Sequence, residues 1–214
     1  MKRIIAVLLT LMMALSLTVC GSDDNAQVTG TWKWTCDITE LFQEGVNQGA
    51  GMDLSVDAAV EMVFVLALNE DGTYTLSVDR DALAGSVRSY LDAMVPVAVE
   101  MVYQQLEDQG MNRADIDEAM AAEGTSVEEY VQQMLDAMDV DQMVDSLENE
   151  SESGYYRAAK GKLYLSEKEN SFSDDSCAEY TLSGGTMQWT GGDSSFISEL
   201  ADINVELPIQ WVKQ

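Results

Sequence analysis

Few side chains in this 214-residue chain are equipped for chemistry, and their types exclude more than they allow. There is no histidine, so neither a Ser-His-Asp or Cys-His nucleophile nor the usual zinc and copper ligand sets can be assembled. Ser194-Ser195 lacks a Gly-x-Ser-x-Gly setting and has no imidazole to activate it. Met94, Met101, Met134, Met138 and Met143 could offer thioethers to Cu(I). Without a histidine or a further cysteine beside them, they read better as a methionine-rich core or a flexible apolar groove. The acidic pairs Asp115/Asp117 and Asp139/Asp141 do not continue into a calcium loop with its central Gly and terminal Glu. Asp174-Asp175 is a loop pair of the same kind. The sequence therefore predicts no metal, no cofactor and no enzyme.

Cys36 and Cys177 lie far apart in the chain. Outside the cytoplasm they could form one disulfide closing a long loop, worth about 3–5 kcal/mol if unstrained. Two buried thiols are the alternative. The third cysteine, Cys20, ends a segment of another character. Lys2 and Arg3 give a basic start, residues 4–15 are almost wholly apolar, and Leu17-Thr18-Val19-Cys20 closes the run. That order predicts a secretory signal peptide over residues 1–19, and the run is too short for a comfortable membrane span. Its ending resembles the lipobox of bacterial lipoproteins, although Val19 stands where Gly, Ala or Ser is usual. The resemblance implies that Cys20 takes a lipid, with palmitate among its acyl chains, and anchors an extracytoplasmic protein to the cell membrane. Residues 20–27 are small, polar and acidic, as a flexible tether would be.

The formal net charge is −27, from 38 acidic and 11 basic side chains. Without Lys2 and Arg3 the mature chain carries 9 basic against 38 acidic groups, a net −29. Such a field repels nucleic acid and anionic lipid headgroups, so neither is an expected partner. The 46% apolar content is too high for a disordered acidic chain and allows a real core.

The remaining elements follow from periodicity. Residues 28–36 alternate, with Val28, Trp32, Trp34 and Cys36 on one face, and read as a strand. Residues 37–42 could open a short helix. Residues 60–68 and 73–78 form a hairpin across Asn69-Glu70-Asp71-Gly72. From Asp81 the period becomes helical: Leu83, Val87, Tyr90, Leu91, Met94, Ala98, Met101, Val102 and Leu106 recur at three- and four-residue steps. Pro96 predicts a kink or a break there. Asn112 caps a short helix ending near Gly124, and Thr125-Ser126-Val127-Glu128 looks like a capping box opening a third, with its stripe from Val127 to Leu147. Strand pattern resumes at 155–159, 162–166, 178–183, 186–190 and 205–212, with a possible short helix over 196–201. The fold class is thus mainly β with a helical insertion (α+β): about eight strands in a meander, closing as an up-and-down barrel, and two to three helices over residues 81–148.

Gly30-Thr31-Trp32 on the first strand resembles the Gly-x-Trp signature of lipocalins. With Asp71-Gly72-Thr73-Tyr74-Thr75-Leu76 it also resembles the lipocalin-like lipoproteins of gut bacteria. The resemblance covers residues 28–80 and 154–213, so that 28–213 would be one lipocalin-like domain with 81–148 inserted. It implies that Trp32 is a structural plug and that the barrel holds a small apolar or amphipathic ligand, with Trp34, Tyr74, Leu76, Tyr164 and Trp189 as candidate cavity residues. The second and third lipocalin motifs are absent. Two functions follow as expectations: ligand binding beside a membrane, and an envelope module docking a protein partner through the helical insertion.

Overall fold

A computed structural model describes residues 24–50, 56–147, 151–193, 197 and 205–214. The signal segment, Cys20 and the expected helix over 196–201, apart from the helical Ile197, lie outside the described residues. In chain order the elements are α1 (Asn25–Val28), β1 (Gly30–Asp37), α2 (Thr39–Ala50), β2 (Glu61–Leu68) and β3 (Thr73–Val78), then α3 (Arg80–Asp108), α4 (Arg113–Ala122), α5 (Val127–Asp136) and α6 (Val140–Leu147). β4 (Glu152–Ala159), β5 (Lys162–Ser166), β6 (Cys177–Ser183), β7 (Thr186–Gly192) and β8 (Ile209–Lys213) complete the chain. The eight strands form a closed antiparallel barrel in which each pairs with its sequence neighbour and β8 returns to β1. This is the predicted up-and-down meander, consistent with a lipocalin-like fold.

Strict alternation builds the wall. Trp32, Trp34 and Cys36 of β1 face Leu66, Phe64 and Met62 of β2 across the ladder, and all six are buried. Tight turns close the hairpins where glycine supplies positive φ, as at Gly72 (+83°) and Gly185 (+84°). The core runs through the lumen: Trp34 stacks on Phe64 with ring centres 5.1 Å apart, and Trp211 stands between Trp34 (5.9 Å) and Trp189 (5.2 Å).

The two ends of the barrel are covered differently. At the end holding the β2–β3, β4–β5 and β6–β7 turns, the Trp32 indole N–H donates to the Val28 carbonyl at 2.6 Å. Residues 24–27 were expected to be flexible tether, and the structure corrects this. The Asp24 carboxylate accepts from the Lys160 N–H and the Asn25 side chain from the Ala158 N–H, each at 2.6 Å, clamping α1 onto the β4–β5 hairpin.

At the opposite end α2 and the first half of α3 pack together, with Phe42 edge-on to Tyr90 at 5.2 Å. α3 is one 29-residue helix that passes through Pro96, where a kink or break was expected. Its buried residues, Leu83 to Met94, all precede the proline; its second half carries α4, whose Arg113 pairs with Glu100 and Glu107, while α5 reaches back to Arg88 and Leu91. The insertion has four helices, not two or three, because the predicted third helix stops at Asp136 and restarts at Val140. The capping box is formed by Ser126 and Glu129, one residue later than the expected frame.

The expected disulfide is not formed: Cys36 and Cys177 are both buried free thiols. The barrel wall separates them. Cys36 points into the lumen beside Met62, whereas Cys177 pairs with Tyr164, whose hydroxyl reaches the exposed Asp174 outside. Burial pushes both thiols up from their ordinary pKa, aided at Cys36 by Asp37.

Candidate functional site

The seam where β8 meets β1 is the weakest part of the wall. Its ladder consists of Trp32↔Lys213 and Lys33↔Val212. The same register continued would set Thr35 against Gln210, but the strands have parted by then. Gln214 N–H donates to the Thr31 carbonyl at 2.9 Å, so the odd-numbered residues of β1 turn their backbone groups toward β8. The N–H and C=O of Thr35 therefore face the gap, and no strand among the described residues pairs with them there.

This gap is an open groove of about 870 Å³. Outward-facing Lys33, Thr35, Val63, Ala82 and Val212 form one part of its lining, and the lumen residues Trp34, Cys36 and Ile209 form its floor. Val205, Glu206, Pro208 and Gln210 make the β8 side. One ion pair fixes the rim: the Lys33 ammonium lies 2.8 Å from the Asp79 carboxylate. Asp79 also accepts from the Ala82 N–H and so caps α3. The Lys33 hydrogen bond, and next the Ala82 N–H, hold the Asp79 carboxyl below the usual carboxylate range. The groove thus offers an apolar floor, backbone donors and acceptors on the wall, and one cation at the edge.

The expected cavity residues do not come together. Trp34 borders the groove. Leu76 and Trp189 are packed in the lumen core, Leu76 against Leu66 and Trp189 against Trp211. Tyr74 is also buried, and its hydroxyl donates to the Glu152 carboxylate. Burial first, and then that carboxylate, push the phenol far above its ordinary pKa. Tyr164 is a correction: it pairs with Arg157 and Cys177 on the outer surface, with the Arg157 guanidinium 4.7 Å from its ring centre. The outward placement follows from the strand's alternation, since Leu163 and Leu165 take the inner positions. Trp32 is buried at the α1 end, with the Lys213 ammonium 5.2 Å from its ring.

Sequence reasoning missed Thr35, Ile209 and Gln210 as groove residues. No local signal marks them, since the β8–β1 ladder ends at Val212, inside a strand that stays paired with β7 as far as Ile209.

Two other concave places flank the barrel. One, of about 690 Å³, lies between α2 and residues 56–59 and is rimmed by Asp37, Glu40, Glu44 and Asp57. The other, about 360 Å³, lies beside Trp32 and the Gly184-Gly185 turn. The first touches the core at Ile38 and Val56 and the second at Trp32. Among the described residues no helix is long and apolar enough to cross a membrane. Compared with protein-family models, with curated proteins and with solved structures, the chain finds no match.

Proposed function

We propose that the chain is an exported, lipid-anchored binding protein that takes a small apolar or amphipathic molecule in the seam groove, not in the closed lumen. The supporting observation is the parting of β1 and β8, which brings Trp34 and Ile209 to the floor of an open groove beside unpaired backbone groups. An apolar tail could lie on that floor while a polar head meets the Thr35 backbone and Lys33, the usual division of labour in a ligand site. The basic start, the apolar run and Cys20 supply the anchor in this reading.

Native mass spectrometry of the purified protein tests it. The wild type should retain a small molecule, and Ala82→Trp, which fills the groove, should release it. An unliganded wild type, or a species retained equally by Ala82→Trp, would sink the proposal. Metabolic labelling with palmitate that persists in Cys20→Ala would remove the anchor from it.

A second reading has its own observation. Tyr130 and Met134 of α5, with Met138 just beyond its end, are 47, 54 and 38% exposed. The helices of the insertion therefore do not bury all of their apolar side chains, and a protein partner could dock there.

A further inference from the structure

Residues 81–148 form an arm in which α3 meets the barrel at β2, α4 packs on the second half of α3 and α5 lies along it as far as Leu91. On α5, Val127, Val131 and Leu135 are buried toward α3. At 100° per residue, Tyr130 and Met134 fall on the shoulder of that buried face, and Met138 continues the same four-residue step. The result is an apolar ridge of Tyr130 and Met134 on α5, continued by Met138 in the bend that follows, left partly in water by the fold. Two of its three side chains are methionines, which are unbranched and adapt to a partner's contour at low cost.

The surroundings of the ridge select what can cover it. Residues 81–148 hold sixteen Asp and Glu against two Arg and no Lys. Arg113 is taken up by Glu100 and Glu107, and Arg88 lies 4.0 Å from Asp141. Glu128, Glu129 and Asp136 are exposed on the rest of α5 and Asp139 in the turn after it, while Ser126 and Gln133 adjoin the ridge itself. A second copy of this chain brings the same negative field and is repelled, as are anionic lipid and nucleic acid.

We infer that the ridge of Tyr130, Met134 and Met138 docks a basic amphipathic helix of another protein. That helix sets its apolar face against the ridge, and its Lys and Arg meet the acidic field of the arm. Helix-on-ridge packing supplies the short-range energy, and the charge field supplies approach rate and choice of partner. This rests on the docking reading and adds the partner's chemistry to it.

The test uses the full-length protein in phosphatidylcholine nanodiscs, with empty nanodiscs as the blank. Two fluorescent peptides of about five helical turns share one leucine face and carry either Lys or Glu opposite it. Anisotropy should show saturable binding of the Lys peptide, weakened by about tenfold or more between about 50 and 300 mM salt. The Glu peptide should not bind. The triple variant Tyr130→Ser, Met134→Ser, Met138→Ser should bind the Lys peptide about tenfold more weakly, with an unchanged circular dichroism spectrum and melting temperature. Equal binding of the Lys peptide by wild type and triple variant would overturn the ridge as its site. Equal binding of both peptides to the wild type, lost in the triple variant, would overturn the basic partner and leave docking intact. Binding of neither peptide would overturn both.

Discussion

Replacing Trp189 by alanine puts the closed lumen to the test. Trp189 is fully buried and packs on Trp211, which in turn meets Trp34. A tryptophan buries roughly 200 Å² of surface, which at about 25 cal/mol per Å² sets an upper bound near 5 kcal/mol for its removal. Measured Trp-to-Ala substitutions in cores cost about 3–5 kcal/mol, because the space left behind collapses only in part. β7 is paired on both edges and holds its place, while Trp211 and Trp34 lie on β8 and β1 where these have parted, so the space closes at most in part and the variant should fall within that range. Urea unfolding followed by far-ultraviolet circular dichroism measures the loss against the wild type. Titration with benzene should recover part of it, since a dry apolar void binds such molecules. A loss below about 1.5 kcal/mol, with no benzene effect, would mean that Trp189 did not fill its space, and the argument for a packed lumen would fail.

Gly192→Ala should cost more than an ordinary surface change. Its φ is +125°, and an added Cβ would stand 2.1 Å from the Cys177 carbonyl oxygen, so a loss of about 3 kcal/mol or more in urea unfolding is expected. Asp79 gives a pH signature. Its carboxyl is held below the usual range in the folded protein, so its contribution is complete above about pH 4 and lost as pH falls through the lowered folded value. Asp79→Asn keeps the cap of α3 and loses the ion pair. It should cost under about 1 kcal/mol at pH 7 and flatten the acid limb of the stability curve. Asp79→Ala should cost about 1 kcal/mol more, and equal losses in the two variants would refute the capping role.

The wall of the barrel was legible in the sequence because a period of two survives wherever one face is buried. Residues 61–68 and 73–78 announce both strands and the turn between them. Which aromatic residues face inward was less legible. Tyr164 sits in Lys-Leu-Tyr-Leu-Ser, where the leucines claim the lumen and the amphipathic ring takes the surface over Arg157. The cysteines misled for the same reason, since long separation in sequence says nothing about opposite faces of one sheet. α1 was invisible because four residues are too few for periodicity, and it is held by bonds to Ala158 and Lys160 more than 130 positions away. Pro96 predicts a break from local sterics alone, yet one lost hydrogen bond does not interrupt a helix packed along much of its length. The seam groove depends on where a ladder ends, and ladder ends are decided by tertiary register.

The clamp of α1 onto the β4–β5 hairpin also sets a leash length. With a lipid on Cys20, residues 20–23 are all that separates the anchor from Asp24, and four residues reach about 14 Å at full extension. In the proposed lipid-anchored form the barrel would ride close above the headgroups with its α1 pole down, and the seam groove would belong to the upper half. Over an anionic leaflet, a chain with 38 acidic side chains would push against such a mooring. Like-charge repulsion would thus keep the leash taut and the proposed binding surfaces turned away from the bilayer, and salt would govern the orientation of the anchored form as much as its contacts would.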